Sequence, residues 1–301
     1  MSETSRRSAV VAVLGAPNAG KSTLVNALVG AKVSIVTHKV QTTRFRLRGL
    51  FTAGDTQLVF VDTPGIFQPK KRLERAMVAA AWGTLGDADI LCLVYDSRRG
   101  ETDAESQAIL DGIAKAGQKA LVVLSKVDLV AKPKLMPLAE SLARHPAVDR
   151  IFMVAAISGS GVEDLRRYLL KAAPAGPWLF PEDELSDLPL RQTAAEITRE
   201  KLFLQLHDEL PYDLTVTTDS WEDFKNGAVR IRQTVTVARE GQRRIAIGTG
   251  GKTIKFVREA AQRELSAFLD RPVHLFMEVK VKEDWAEDPD HYRAWGLDPK
   301  A

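Results

Sequence analysis

The sequence predicts an α/β domain built on a mostly parallel sheet with helices on both faces, followed by a smaller α+β unit. Three observations predict it. Near-continuous apolar runs alternate with helical patterns from Ala9 to about Lys171, the rhythm of strands covered on both faces. A stretch rich in Pro and acidic residues, from Ala172-Ala173-Pro174 through Pro181–Asp187, breaks that rhythm. Beyond it come a helical pattern, two strand-like runs, a Gly-rich turn, an amphipathic helix and a closing alternating strand. The expected boundaries are 1–172 for the first domain, 173–190 for a linker, and 191–301 for the second domain with its tail.

Composition narrows the class. With 45% hydrophobic and 27% charged residues, the chain is ordinary for a globular protein. A net charge of +3 is too small to imply an anionic partner, so any basic surface must be local. The single cysteine, Cys92, lies within Ile90-Leu91-Cys92-Leu93-Val94. It reads as a core residue and excludes an intrachain disulfide or a Cys-based metal site. No apolar run has the length of a membrane span, and Met1–Ser8 lacks an apolar signal core. The expectation is a cytoplasmic monomer.

The strands are expected at Val10–Leu14, Phe45–Phe51, Leu58–Asp62, Ile90–Asp96, Ala120–Ser125 and Ile151–Ala155, with a hairpin turn at Ala53-Gly54-Asp55. The first ends in Gly15-Ala16-Pro17-Asn18-Ala19-Gly20-Lys21-Ser22-Thr23, followed by a helical pattern. Gly-x-x-x-x-Gly-Lys-Ser between strand and helix is a phosphate cradle. Glycines let backbone N–H groups close on phosphate oxygens, and the helix N-terminus adds positive potential. Lys21 would lie along the β- and γ-phosphates, and Ser22 would ligate Mg²⁺. Asp62-Thr63-Pro64-Gly65 follows an apolar strand: the carboxylate is placed to hold Mg²⁺, and Gly65 lets backbone approach the γ-phosphate. In the polar stretch Ala31–Arg44, Thr42 or Thr43 would complete the metal shell. Ser125-Lys126-Val127-Asp128 ends another strand. Asp128 there can accept from N1 and N2 of guanine, and the Lys126 stem can lie along the base.

In this order the motifs resemble those of the translation-factor class of small GTPases, which implies GTP/GDP and Mg²⁺ as ligands and Lys21, Thr43 and Gly65 at the reacting phosphate. Two positions depart from that pattern. Ser125 stands where the family has Asn, which weakens one base or loop bond. Ala155-Ala156 stands where Ser-Ala is usual, with the Ala156 N–H still able to meet the guanine carbonyl. Ile66 occupies the place of a water-orienting glutamine, so slow intrinsic hydrolysis of about 10⁻⁴ s⁻¹ is expected. Asn18 resembles the residue that holds K⁺ in some members of the class.

In the second half, Gly248-Thr249-Gly250-Gly251 precedes a helix with Ile254, Val257, Ala261, Leu265 and Phe268 on one face. The loop resembles the Gly-x-x-Gly of a type II KH domain, which clamps single-stranded RNA. Between Lys225 and Arg258 there are nine basic residues against one acid, Glu240, and this clustering favours RNA over a bare turn. The candidate contacts are Arg230, Arg232, Arg243, Arg244, Gly248, Thr249, Gly250, Gly251, Lys252 and Lys255. Lys252 would take over a phosphate contact that related loops make from the position of Gly250.

A P-loop GTPase domain joined to a KH domain resembles the Era family of bacterial GTPases. Glu196-Ile197-Thr198-Arg199-Glu200-Lys201-Leu202, Glu209-Leu210-Pro211-Tyr212 and Val279-Lys280-Val281-Lys282 agree with it. The resemblance implies binding of the 3′ end of 16S rRNA, assistance to small (30S) ribosomal subunit assembly, and peripheral association with the inner membrane. GTP with Mg²⁺ is expected to order Ala31–Arg44 and the segment after Gly65, and the short linker to pass that state to the KH surface. The rivals are a GTPase acting on tRNA or large-subunit RNA, a P-loop kinase or ATPase, and an RNA-binding module with a vestigial nucleotide site.

Overall fold

The computed structural model describes residues 6–37, 39, 41–101, 103–206 and 210–300. The chain forms two compact units: one runs to Asp187 and takes in the segment from Tyr292 onward, and the other is Leu188–His291.

In the first unit, β1 (Arg7–Leu14), β3 (Thr56–Asp62), β4 (Ile90–Asp96), β5 (Ala120–Ser125) and β6 (Val148–Val154) run parallel, and β2 (Leu47–Ala53) pairs antiparallel at one edge. The order is β2-β3-β1-β4-β5-β6. The central strands are Val/Leu/Ile-rich and buried because helices cover both faces. On one side α1 (Lys21–Val29) and α5 (Val162–Ala172) pack Leu24, Leu28, Leu165 and Leu169 against Val11, Val13, Phe60 and Val94. On the other, α3 (Ala104–Lys115) and α4 (Lys132–Ala143) pack Ile109, Ile113, Leu138 and Leu142 against Leu14, Leu93 and Val122. Cys92 belongs to the first core, and burial pushes its thiol up to about 12. Between β3 and β4 lies α2 (Arg72–Trp82).

The expected strands β4 and β5 have the observed bounds, and the others shift by two or three residues. β2 starts at Leu47 rather than Phe45, because Arg46 turns toward α2 and its Nε donates to the Ala80 carbonyl at 2.8 Å. Parallel strands end on the same side of a sheet, so Leu14, Asp62, Asp96, Ser125 and Val154 gather at one edge, where α/β sheets bind ligands.

The division of the chain differs from the expected one at two places. Residues 173–187 are laid on the first unit: Gln57 Nε2 donates to Phe180 O at 2.9 Å, Trp178 Nε1 donates to Asp55 O at 3.0 Å, and Arg6 lies 4.5 Å over the Trp178 ring. The tail also belongs there, with Arg72 Nε donating to Pro299 O at 3.0 Å. Polar side chains reaching backbone carbonyls across long sequence separations hold both segments.

The second unit contains α6 (Leu190–Gln205), β7 (Leu214–Asp223), β8 (Val229–Val237), α7 (Glu240–Ile247), α8 (Lys252–Leu269) and β9 (Val273–Val281). β8 lies between antiparallel β7 and parallel β9. One sheet face is covered: Ala195, Leu202 and Phe203 of α6 and Val257 of α8 pack on Val235 and Val237. The family-like stretch around Glu196–Leu202 is structural. Arg199 is buried over the Phe203 ring at 4.9 Å and donates to Glu196 at 2.9 Å, and Thr198 donates to Gln233 at 2.6 Å. Phe268, in the last turn of α8, is 46% exposed and does not join Val257, Ala261 and Leu265 in the core.

Candidate functional site

The loop from β1 into α1 wraps around its own lysine. Lys21 Nζ donates to Gly15 O at 3.1 Å and Ala16 O at 2.9 Å, and the side chain is buried. Burial lowers its pKa to about 8, against the pull of nearby Asp62.

Ser22, the second residue of α1, donates from Oγ to Asp62 Oδ2 at 2.7 Å, and Thr43 Oγ1 donates to the same oxygen at 3.0 Å. The two hydroxyls are 2.9 Å apart. Burial raises the Asp62 pKa, opposed by the Ser22 bond and the Lys21 charge. Asp62 Oδ1 is buried and has no hydrogen-bond partner among the described residues. Two hydroxyls and a carboxylate with an oxygen to spare form a donor set for a hard divalent cation, so these residues fit Mg²⁺. The structure separates the two threonines of the sequence reading: Thr42 Oγ1 donates to Lys39 O at 2.8 Å and lies 2.8 Å from Thr37 Oγ1, while only Thr43 reaches Asp62.

The turn after β3 is pinned to the loop after β1. Thr63 Oγ1 donates to Val13 O at 2.8 Å, and the Ile66 amide donates to Gly15 O at 3.1 Å. Pro64 lies buried between them. A Cβ on Gly65 would sit 3.0 Å from Pro17 Cα, so a side chain here would push the phosphate loop back by a few tenths of an ångström. Ile66 is buried in the core with Leu14 and Leu93, its side chain removed from the loop.

At the other end of the site, Ser125 Oγ donates to Ala19 O at 2.6 Å, with Tyr95 O at 3.1 Å as the alternative acceptor. A single hydroxyl serves one acceptor at a time, so the Asn-to-Ser departure keeps the tie to the loop and has no second donor for a base. Lys126 crosses between strands, donating to Asp96 Oδ2 at 2.7 Å and to Asn18 O. Asp128 is exposed and faces a cavity of about 500 Å³. That cavity runs from Gly20, Lys21, Ser22, Thr23 and Thr43 to Asp128, Ala156 and Ile157, the scale of one nucleotide. Ala155 instead closes its own turn, donating to Ser160 O at 2.9 Å.

Three residues escaped the sequence reading. Asp96 accepts from Arg98 Nε at 3.0 Å as well as from Lys126. Burial works against its charge, but the Arg98 and Lys126 bonds prevail and hold its pKa down at about 2. Arg99 donates to Pro17 O at 3.0 Å and to Asp103 at 3.1 Å, bracing the loop from outside. The signal was an acid followed by two arginines at the carboxyl end of β4.

In the second unit, Gly248 (φ 75°) leaves α7 and a Cβ there would meet Thr253 Oγ1 at 2.2 Å, so backbone and packing both require glycine. Thr249 and Gly250 are exposed, and Arg244, Lys252 and Lys255 flank them from α7 and α8. Arg243 is partly engaged, donating to Val279 O at 3.1 Å and Glu240 at 3.0 Å. Arg230 and Arg232 are set apart. Ile231 and Gln233 of β8 face the helices, so strand alternation turns both arginines to the uncovered face. There Arg230 lies over Phe224 and Arg232 over Phe276, at 4.9 and 5.3 Å.

A triphosphate arriving beside Lys21 restores the full ammonium charge, so binding takes up a proton above the pKa of about 8. Titration calorimetry between about pH 7 and about pH 9.5 should therefore show level affinity to about pH 8 and then a fall of up to about tenfold per unit. Unchanged affinity across that range would contradict the assignment.

Comparison with known proteins bears on the same regions. A family model described as 50S ribosome-binding GTPase matches residues 10–126, and a KH domain model matches residues 209–286. The chain is 54% identical to GTPase Era of Brucella suis over 98% of its own length and 94% of that protein's. It is 54% identical to GTPase Era of Rhizobium meliloti over 97% and 93%. A crystal structure of Era in complex with MgGDPNP and nucleotides 1506–1542 of 16S ribosomal RNA is 35% identical, with a TM-score of 0.91 over 97% of this chain and 99% of that one. A single-substitution variant of Aquifex aeolicus Era bound to GDP·AlF4⁻ gives 0.90 at 35% identity, over 96% and 99%. With that identity sustained along nearly its whole length, the chain belongs to the Era family of GTPases.

Proposed function

We propose that this chain binds and hydrolyses GTP with Mg²⁺ in its first unit, binds the 3′ end of 16S rRNA through its second, and assists assembly of the 30S ribosomal subunit. The observation that carries the reading is the single cavity with Lys21, Ser22, Thr43 and Gly65 at one end and Lys126 and Asp128 at the other. Guanine offers such a carboxylate its N1 and N2 hydrogens side by side, an arrangement that adenine lacks, so Asp128 favours GTP over the ATP of a kinase or ATPase.

The residues divide the chemistry between them. The loop Gly15–Gly20 cradles the phosphates through backbone N–H groups, and Lys21 leaves its carbonyl partners to lie along the β- and γ-phosphates. Mg²⁺, when bound, neutralises charge that develops on the transferring phosphoryl group. Ser22 and Thr43 would hold it, with Asp62 reaching it directly or through water. Gly65 presents its backbone to the γ-phosphate. Ile66, turned into the core, orients no water, and intrinsic turnover is slow. Asp128 accepts from two guanine donors, and the Lys126 stem underlies the base. Asn18, within the phosphate loop at φ 61°, is the candidate K⁺ ligand.

The RNA grip is centred on Gly248–Gly251 with Arg244, Lys252 and Lys255. Arg230 and Arg232 belong to a separate, peripheral part of that surface. Among the described residues no helix is long and apolar enough to cross a membrane. The reading places the protein with the assembling subunit in the cytoplasm, with any inner-membrane association peripheral.

Asp128→Asn should exchange an acceptor for a donor and shift preference from GTP to xanthosine triphosphate by at least about a hundredfold in competition binding. Unaltered GTP selectivity would remove Asp128 from the base-reading role. The RNA grip is tested by Thr249→Asp/Gly250→Asp, which sets two carboxylates against phosphate. Anisotropy with a 16S 3′-end oligonucleotide should register at least about tenfold weaker binding with GTP affinity intact. Equal RNA affinity in the two proteins would place the grip elsewhere.

A further inference from the structure

We infer that two residues at the carboxyl end of β4, Asp96 and Arg99, position the phosphate loop for its nucleotide: Arg99 by holding the Pro17 carbonyl, and Asp96 by fixing Lys126 on the Asn18 carbonyl. The inference rests on the nucleotide binding proposed above and names residues that set its strength without touching the ligand.

A loop that cradles phosphate needs its N–H groups facing the anion and its carbonyls facing away. A carbonyl and the amide that follows it lie on opposite sides of one planar peptide, so a donor that draws the carbonyl outward turns the amide inward. Every carbonyl from Gly15 to Ala19 has such a donor. Lys21 takes Gly15 and Ala16, Arg99 Nη2 takes Pro17 at 3.0 Å, Lys126 takes Asn18 and Ser125 takes Ala19. When Lys21 turns to the phosphates, the Ile66 and Ala19 amides remain on Gly15 and Ala16. The three outer carbonyls have no backbone donor among the described residues, so side chains alone hold them. The amides of Asn18 and Gly20, which share peptides with Pro17 and Ala19, likewise have no backbone acceptor among the described residues, and both residues border the cavity.

The sequence after β4 supplies the holders. Asp96 caps a single turn, Ser97–Arg99, and accepts the Arg98 amide at 3.1 Å. That turn sends Arg99 back across the loop. Its Nη1 is held by Asp103 Oδ1 at 3.1 Å and Glu105 Oε2 at 2.7 Å, which leaves Nη2 for Pro17. Asp103 is itself buried and takes the Ser106 hydroxyl on its other oxygen at 2.6 Å. The planar guanidinium is therefore fixed as a rigid fork.

Asp96 acts one step removed. Its Oδ1 accepts from the Arg98 amide and Nε, and its Oδ2 from Arg98 Nη2 and Lys126 Nζ, both at 2.7 Å. Four donors fill a carboxylate, so this buried acid, unlike Asp62, has no lone pair left for a cation. The two residues that Lys126 joins both have left-handed backbone, with φ 57° at Lys126 and 61° at Asn18. For a lysine that conformation persists only where its surroundings hold it. Asp96 and the Asn18 carbonyl together fix the ammonium, and so set both the loop and the stem that underlies the base.

The test is the affinity of the full chain for a fluorescent GDP derivative in the presence of Mg²⁺. Arg99→Met keeps the stem and loses the donor, and should weaken binding at least about tenfold. Arg99→Lys restores a donor and should recover at least about threefold of that loss. Asp96→Asn should also weaken binding at least about tenfold. Placed in a Lys126→Ala background it should weaken binding by less than about twofold, because a residue that acts through Lys126 has nothing left to act on. Loss of packing alone would give neither the lysine rescue nor this non-additivity. The inference is overturned by unchanged affinity in Arg99→Met, by no rescue in Arg99→Lys, or by an Asp96→Asn loss that is equal with and without Lys126. Should Asp96→Asn fail to fold, the Arg99 pair decides. Failure of the unaltered chain to bind GDP at all would instead overturn the function on which the inference rests.

Discussion

A buried carboxylate that takes two hydroxyl bonds on one oxygen and leaves the other unused is the constraint on which the first unit depends. Asp62 is fully buried at the end of a central strand, where an unpaired charge costs several kcal/mol. Ser22, Thr43 and the Lys21 charge offset part of that cost. They come from two segments: the Ser22 hydroxyl and the lysine from the first turn of α1, the threonine from the segment before β2. Strand β3, the phosphate loop and the segment before β2 must all be in register for this cluster to exist. The Val- and Leu-rich strands on either side hold that register, and the remaining Asp62 oxygen leaves the cluster ready for a cation.

The two anion grips of the protein differ in kind. The nucleotide site is enclosed and dominated by backbone: Gly65 is pressed against Pro17, Thr63 is tied to Val13, and Arg99 braces the loop from outside. Such a site is preorganised and discriminating. The Gly248–Gly251 turn is exposed, with long cationic side chains around it, which suits an extended polyanion held by several weak contacts.

Much of this was legible in the sequence. The phosphate loop, Asp62–Gly65 and Ser125–Asp128 were found because their chemistry fixes both residue type and position at a strand end, and β4 and β5 were found whole because uninterrupted apolar runs leave little choice. Other features depend on what a side chain meets across long separations. Which threonine reaches Asp62 depends on the backbone path of the segment, where Gln41 has φ 60°, and no composition announces that path. Residues 173–187 looked like a linker because prolines and acids dominate them; Gln57, Arg48 and Asp55, distant in sequence, fasten them down. The tail was assigned to the unit that precedes it, and Arg72 supplies the contact that assigns it otherwise. Arg230 and Arg232 entered the basic cluster by proximity in sequence, and alternation along β8 then parted them from the glycine loop.

The central claim is that the spare oxygen of Asp62 is an incomplete metal shell. Calorimetric titration of GDPNP with and without Mg²⁺ measures it directly, in the unaltered protein and in Asp62→Asn. The account predicts that Mg²⁺ strengthens binding to the unaltered protein by at least about tenfold and that the substitution abolishes this increment. An increment of equal size in both proteins would contradict it.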